Sequence, residues 1–263
     1  MGVTFSINDD GPKLEPFRSK DKLQQLRALD PARATPFVGE ALRNLRREVG
    51  NDATVLGFIG LPFTLASYMI EGGGSSEFDI TKRMMYTNPT LVHSLLGHLE
   101  ENIATYAIYQ IESGAQVIQV FDSWAGVLSP RDYDEFALPY QQRVIERIKK
   151  AHPEVPIIIY VAKSGPHIER LGKSGAHCVS LDWTSTIPEA RRRLKNSKLV
   201  IQGNMDPMVL TGPKEVIAQR TLEILKEGGG KKHVMNLGHG IYSQTPEENA
   251  QYFVDLVKNF RIQ

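Results

Sequence analysis

Val234-Met-Asn-Leu-Gly-His-Gly240, with Thr245-Pro-Glu-Glu248 a few residues further on, decides how this chain folds. Val234 and Met235 are apolar, and the run ends in a histidine flanked by glycines. The next signal is a helix start. The stretch therefore reads as a buried strand, a loop and a helix. In parallel α/β folds, ligands and chemistry sit beyond the C-terminal ends of strands. His239 is thus a site candidate, and Gly238 and Gly240 leave room for a close approach. A loop histidine that merely caps a helix has the same local sequence, and the motif alone does not separate the two.

The same order of features recurs upstream. Apolar runs at 54–59, 116–121, 156–161, 178–181, 199–202 and 233–236 are each followed by polar or glycine punctuation and then a helical pattern. Near-continuous apolar strands, rather than alternating ones, predict a parallel sheet buried on both faces. Ser129-Pro-Arg-Asp132 and Thr245-Pro-Glu-Glu248 each offer an N-cap hydroxyl, a first-turn proline and a carboxylate three residues after the cap, which predicts two capping boxes. Thr211-Gly-Pro-Lys-Glu215 is a looser version. The segment 36–49 places Phe37, Ala41, Leu42, Leu45 and Val49 on one helical face, and Gly50 ends it. The longest helical pattern covers 80–113 and is predicted to break near Pro89.

Repeated β–α units build either an open doubly wound sheet or a (β/α)8 TIM barrel. Six units over 54–263 average about 35 residues, a spacing suited to a barrel. Upstream of Thr54 there is one candidate strand, residues 2–7, and a polar, proline-containing stretch. The expectation is one domain over 1–263, either an open sheet or a barrel whose first one or two units are missing.

Composition removes several classes of function. The chain has 263 residues, 41% of them hydrophobic, and a net charge of +1. That balance gives no bulk affinity for nucleic acid or anionic membranes. No apolar run approaches the ~20 residues of a membrane span. The N-terminus lacks the charged and apolar regions of a secretory signal. Cys178 is the single cysteine. It excludes an intrachain disulfide and a cysteine-rich metal site, and its apolar surroundings predict an inert buried thiol.

Polar and aromatic residues concentrate after every strand. Gly72-Gly-Gly-Ser-Ser76 could cradle an anion or serve as a flexible loop. It has neither P-loop nor dinucleotide-site spacing. Arg191-Arg-Arg193 reads as a solvated helix face. His93, His98, His152 and His167 have no matching ligand set, so no metal is expected. The absence of a G-x-S-x-G elbow disfavours acyl transfer.

The segments Phe58-Ile-Gly-Leu-Pro-Phe-Thr-Leu-Ala-Ser-Tyr68, Glu71-Gly-Gly-Gly-Ser-Ser76, Phe121-Asp-Ser-Trp-Ala-Gly126, Phe136-Ala-Leu-Pro-Tyr140, Leu181-Asp-Trp183, Gln202-Gly-Asn-Met-Asp-Pro207 and Asn236-Leu-Gly-His-Gly240 resemble the uroporphyrinogen decarboxylase family. They occur in order along essentially the whole chain, and Phe121-Asp-Ser-Trp-Ala125 most resembles the plant, algal and cyanobacterial branch. The resemblance implies a (β/α)8 barrel, usually homodimeric. Its reaction removes carbon dioxide from four acetate side chains of uroporphyrinogen III to give coproporphyrinogen III, without a cofactor, on the route to haem and chlorophyll. It also implies that Tyr68, Ser123 and His239 contact the substrate, with Phe121 packed against the macrocycle. Tyr68 and His239 would bond carboxylates or assist proton transfer. The compartment implied is a plastid, or the cytoplasm if the source is bacterial.

Two family features have no counterpart in this sequence. One is an N-terminal Arg-Gln-Ala-Gly-Arg motif whose cations meet substrate carboxylates. The other is an aspartate that binds the pyrrole N–H groups. Since unpaired buried charge is costly, the chain alone is expected to be weakly active or inactive, and poorly stable. Two other readings stay open here. One is a shortened, non-catalytic isoform that binds tetrapyrroles or dimerises. The other is a corrinoid- or zinc-dependent methyltransferase, disfavoured because Cys178 is the only thiol.

Overall fold

Every apolar run of the sequence forms a strand. A computed structural model describes residues 1–8, 11–195 and 198–261, which divide into two compact units, Met1–Ile157 and Ile158–Gln263. The first holds β1 (Phe5–Asn8), β2 (Gly11–Leu14), α1 (Lys20–Gln25), α2 (Pro31–Ala34), α3 (Pro36–Val49), β3 (Leu56–Gly60), α4 (Pro62–Glu71), α5 (Asp79–Thr87), α6 (Pro89–Glu112), β4 (Val117–Phe121), α7 (Pro130–Phe136) and α8 (Leu138–Ala151). The second holds β5 (Ile157–Tyr160), α9 (Ile168–Leu171), β6 (Cys178–Ser180), α10 (Ile187–Leu194), β7 (Val200–Gln202), α11 (Lys214–Gly228), β8 (His233–Val234) and α12 (Glu247–Asn259). The helical pattern 80–113 breaks at Pro89, where Asn88 caps α6 by accepting from Leu91 N.

In the first unit β3 and β4 run parallel, with Leu56 opposite Val117 and Gly60 opposite Phe121. The core forms where α6 supplies Leu91, Val92, Leu95, Leu96, Leu99 and Ile103, all buried. They pack with Phe63, Met69 and Ile70 from α4 and Val144, Ile145 and Ile148 from α8. Each such side chain contributes roughly 1.5–3 kcal/mol on burial. Glu100 is buried on α6 and takes ion pairs from Arg143 at 2.6 Å and Arg147 at 3.4 Å, so its charge is matched.

One strand departs from the apolar-throughout pattern. In β3 Leu56 and Phe58 are exposed, Phe58 by 66%. The backbone of Phe58, which faces away from β4, is met by a side chain instead of a strand. Phe58 N donates to Gln110 Oε1 (3.0 Å), and Gln110 Nε2 donates to Phe58 O (2.9 Å). Gln110 is itself buried on α6.

The N-terminal segment corrects the sequence expectation of a single strand over 2–7. It forms an antiparallel hairpin, with Phe5 opposite Leu14 and Asn8 opposite Gly11, so it is not a strand of a parallel sheet. The hairpin arm docks on the end of α4 through Leu14 N to Gly72 O (3.0 Å) and Phe17 N to Met69 O (2.8 Å). Gly72 has φ +85, and an added Cβ would lie 2.9 Å from Pro16 Cγ. The glycine run thus begins as a left-handed helix cap that receives the N-terminal arm. The apolar face expected on α3 is corrected too. Leu42 is buried, but Phe37 is 67% exposed and Leu45 49% exposed.

In the second unit β5, β6, β7 and β8 are parallel neighbours in chain order. Residues 157–160 and 178–180 are buried throughout, as the unbroken apolar runs require. Cys178 lies among them, and burial pushes its thiol up to about 12, which makes it unreactive at neutral pH. Met205, Leu210, Ile217 and Phe253 form a second cluster under α11 and α12.

The two predicted capping boxes diverge. Ser129 Oγ accepts from Asp132 N (3.1 Å), and its hydroxyl donates to Asp132 Oδ2 (2.7 Å). At Thr245 no box forms. The helix begins at Glu247 with Pro246 as its cap, and Thr245 Oγ1 is buried without a hydrogen bond among the described residues. The first turn is instead tied by tertiary bonds from Asn249 Nδ2 to Leu210 O (2.8 Å) and Gly212 O (3.1 Å). Arg191 and Arg193 are not simply solvated either. Arg191 donates to the carbonyls of Gly228, Lys231 and Lys232. Arg193 grips both oxygens of Glu169 at 2.7 and 2.6 Å, and these bonds hold the Glu169 carboxyl down at about 2.

Among the described residues, no helix is long and apolar enough to cross a membrane.

Candidate active site

The first unit gathers its polar and aromatic groups where β3 and β4 end. Pro62 starts α4 two residues after Gly60, so the helix rises directly from the strand end. Thr64 and Tyr68 are i and i+4 on α4 and share a face. The turn after β4 is fixed to Thr64 through Asp122. Thr64 N and Thr64 Oγ1 each donate to Asp122 Oδ1 at 2.8 Å, and Gln141 Nε2 donates to Asp122 Oδ2 at 2.9 Å. Trp124 N then donates to Thr64 Oγ1 at 3.1 Å. The result is that the Trp124 ring lies against Tyr68, with centroids 3.9 Å apart. Phe78 also packs against the Trp124 ring, with centroids 4.8 Å apart. It is buried and held at φ 54, and its backbone N–H bonds to Ser75 Oγ (3.0 Å).

No cation among the described residues pairs with Asp122, and burial pushes its carboxyl up to about 6. Donors from Thr64 and Gln141 work against that rise. Three donors converge on a carboxylate with no access to water, which makes Asp122 an anchor for the loop.

Of the residues expected at the site, three are placed by this arrangement. Phe121 is the last residue of β4, half-buried and edge-on to Phe58 at 6.3 Å. Ser123 follows the anchored Asp122 and is half-buried. Tyr68 is half-buried, with one face covered by Trp124.

The fourth, His239, belongs to the second unit and is exposed. Its ring is 6.2 Å from that of Tyr160, at 71°. The preceding residue holds it there. Tyr160 OH donates to Gly238 O (2.9 Å), and Gly238 N donates to Met205 O (2.7 Å). A Cβ on Gly238 would meet Trp183 N at 2.8 Å and Asp182 Cα at 3.1 Å. The close approach that the glycine permits is therefore made by the chain's own backbone. Around Gly240 there is open space. Burial raises the Tyr160 hydroxyl, with the nearby Asp182 charge adding to the rise, so the phenol stays a donor. Asp182 in turn accepts from Ser164 N (3.1 Å) and Thr184 N (2.9 Å), and Asn204 Nδ2 donates to Asp182 O (2.8 Å).

Sequence reasoning did not single out Asp122, Gln141, Trp124 or Tyr160. A signal existed for Asp122: a carboxylate immediately after an apolar strand must find donors if it is buried. None existed for Gln141, which is distant in sequence from the loop it supports. Among the described residues, no group of three His, Cys, Asp or Glu side chains could hold a metal ion.

The strands, loops and site residues can be set beside known proteins. The methyltransferase from Methanosarcina mazei superposes with a TM-score of 0.79, covering 98% of this chain and 75% of that one at 21% identity. A B12-independent methionine synthase from a Shewanella species gives 0.59 over 97% and 72%, at 14% identity. At these identities the likeness shows the fold, an α/β architecture of the TIM-barrel kind, and nothing of the chemistry. Sequence is more specific. Residues 1–260 match the family model described as uroporphyrinogen decarboxylase (URO-D). The uroporphyrinogen decarboxylase of Microcystis aeruginosa is 45% identical over 265 residues, covering 100% of this chain and 75% of that protein. Those of a Nostoc and a Synechocystis species are each 47% identical, covering 100% and 98% of this chain and 75% and 74% of theirs. The chain spans about three quarters of these relatives' length, and it belongs to the uroporphyrinogen decarboxylase family.

Proposed function

We propose that the chain is a carboxy-lyase that converts uroporphyrinogen to coproporphyrinogen in porphyrin biosynthesis. The observation that carries this reading is the family match over residues 1–260, with 45–48% identity to named decarboxylases along the whole chain. The chemistry needs an electron sink, and the substrate provides one. Protonation of a pyrrole at a ring carbon makes a cation. The acetate C–C bond then breaks, carbon dioxide leaves, and the electron pair neutralises the ring. Reprotonation of the side chain gives a methyl group as the ring returns its proton. The protein must move protons and meet carboxylates, and no cofactor enters the balance.

The roles are those that the family resemblance implies. In the first unit, Tyr68 presents the ring face not covered by Trp124 and directs its hydroxyl to a carboxylate. Ser123 donates to a second carboxylate. Phe121 supplies apolar surface for the macrocycle. In the second unit, His239 bonds a carboxylate or passes a proton. Support comes from the exposure of His239 and the half-burial of the other three, which leaves each group reachable. The protein acts as a homodimer in the plastid stroma, or in the cytoplasm of a bacterium. The cyanobacterial relatives support the photosynthetic setting.

The test is coproporphyrinogen formation from uroporphyrinogen by the purified chain, read by chromatography after oxidation to porphyrins. Product formation that falls on Tyr68→Phe and His239→Ala supports both the reaction and the roles. No product from the wild-type chain overturns the reading for this chain. The same assay decides the expectation of weak activity.

A further inference from the structure

Four loops follow β5 to β8 in the second unit, residues 161–164, 181–184, 203–206 and 235–243. They contain two carboxylates, Asp182 and Asp206, and the exposed His239. Lys163 is the one lysine or arginine among them. Both carboxylates are already engaged by the chain. Asp182 takes Ser164 N and Thr184 N, and Asp206 Oδ1 takes Met208 N at 2.9 Å. Lys163 is exposed, and no ion pair with a described residue occupies its ammonium.

The backbone at Lys163 is unusual. Its φ is 55, in the left-handed region that glycine and asparagine adopt most easily. Both flanks are fixed. Val161 and Ser164 are fully buried. Ser164 N is held by Asp182 Oδ2 (3.1 Å), and Gly165 O accepts from Arg193 Nη1 (2.7 Å). The chain between them is forced outward at Lys163. A lysine there costs stability that asparagine would not, and no ion pair with a described residue offsets it. Such strain clusters at functional sites; Phe78, Lys195 and Lys232 share the conformation, and Lys163 is the one of the four in a loop that follows a strand.

We propose that Lys163 is a substrate-binding residue that pairs with a carboxylate of the tetrapyrrole. The inference rests on the decarboxylase reading, whose substrate carries eight carboxylates. In the loops that follow β5 to β8, Lys163 is the one lysine or arginine available to meet one of them. A charged donor in this position contributes to binding in ground and transition states alike, so it governs KM more than kcat.

Lys163→Asn and Lys163→Arg test this. Asparagine tolerates the left-handed backbone and removes the charge, while arginine keeps the charge. Lys163→Asn is expected to melt at or above the wild-type temperature, with KM raised about tenfold and kcat within about twofold. The Kd for uroporphyrin, measured by tryptophan fluorescence quenching, rises in parallel, and its dependence on sodium chloride becomes shallower than in the wild type. Lys163→Arg keeps KM near the wild-type value. Unchanged KM and unchanged uroporphyrin Kd in Lys163→Asn overturn the inference. If the wild type binds uroporphyrin without forming coproporphyrinogen, the decarboxylase reading fails and the Kd comparison still judges Lys163. A wild type that neither binds nor reacts overturns both.

Discussion

Two strand-end loops carry the proposed site residues, and they are held by opposite means. The loop after β4 is held by a side chain. Asp122 gathers Thr64 and Gln141, and the loop that bears Phe121, Ser123 and Trp124 takes its shape from that carboxylate. The loop after β8 is held by the lack of a side chain. Gly238 lets the backbone of Asp182 and Trp183 come within contact distance, and Tyr160 and Met205 bond to its peptide groups. The first device is electrostatic and answers to pH. The second is steric and does not. A buried carboxylate without a cation is stable only while every donor stays in place, whereas a close-packed glycine fails as soon as any atom is added.

The largest test of this contrast is Asp122→Ala. It strands three buried donors, and the expected loss is about 3–5 kcal/mol, read by urea denaturation, with Trp124 fluorescence changing as its loop is released. Asp122→Asn separates shape from charge. If Gln141 turns its amide over, its Oε1 accepts from the new Asn side chain, and the loss stays under about 1.5 kcal/mol. The sign of the pH effect follows from the raised pKa. The folded chain keeps the Asp122 proton up to about 6, whereas the unfolded value is 3.8. Wild-type stability therefore falls relative to Asp122→Asn as pH rises from about 4 to 6, and the gap is constant above that. A gap that moves the other way would show that the donors outweigh burial.

Gly238→Ala comes next, at about 2–3 kcal/mol, since its Cβ would overlap fixed backbone rather than a movable side chain. Unlike the Asp122 variants, its deficit should not vary with pH between 4 and 8. Tyr160→Phe is the smallest, at about 1 kcal/mol, because it removes one hydrogen bond to Gly238 O and keeps the ring packed beside His239. Activity should fall further than stability does if that bond orients His239, and a loss of stability alone would assign Tyr160 to packing.

How much of this could be read from the sequence depended on the range of the interaction. The strands were legible because Ile157, Ile158, Ile159 and Tyr160 are buried on every side, so no polar residue interrupts them. The break at Pro89 and the end of α3 at Gly50 were legible because each is a property of one residue. Thr245 misled because a local capping pattern was overridden by Asn249 reaching Leu210 and Gly212 across the fold. Arg191 and Arg193 looked solvated because their partners, Gly228 and Glu169, are tens of residues away. Among the proposed site residues, His239 stood out by its position after a strand, whereas Phe121 and Ser123 were named through the family resemblance. The groups that hold them, Gln141 and Tyr160, carry no local mark, since one lies within a helix and the other ends an apolar strand.

Gln110 gives the exposed edge of β3 a significance beyond local bonding. Its amide offers Phe58 the same donor and acceptor that a neighbouring strand would, and thereby occupies backbone groups that edge-to-edge pairing would use. Any segment that adds to this edge, whether from another chain or from an aggregate, must first evict a buried glutamine. One side chain on α6 thus stands where a further strand would pair.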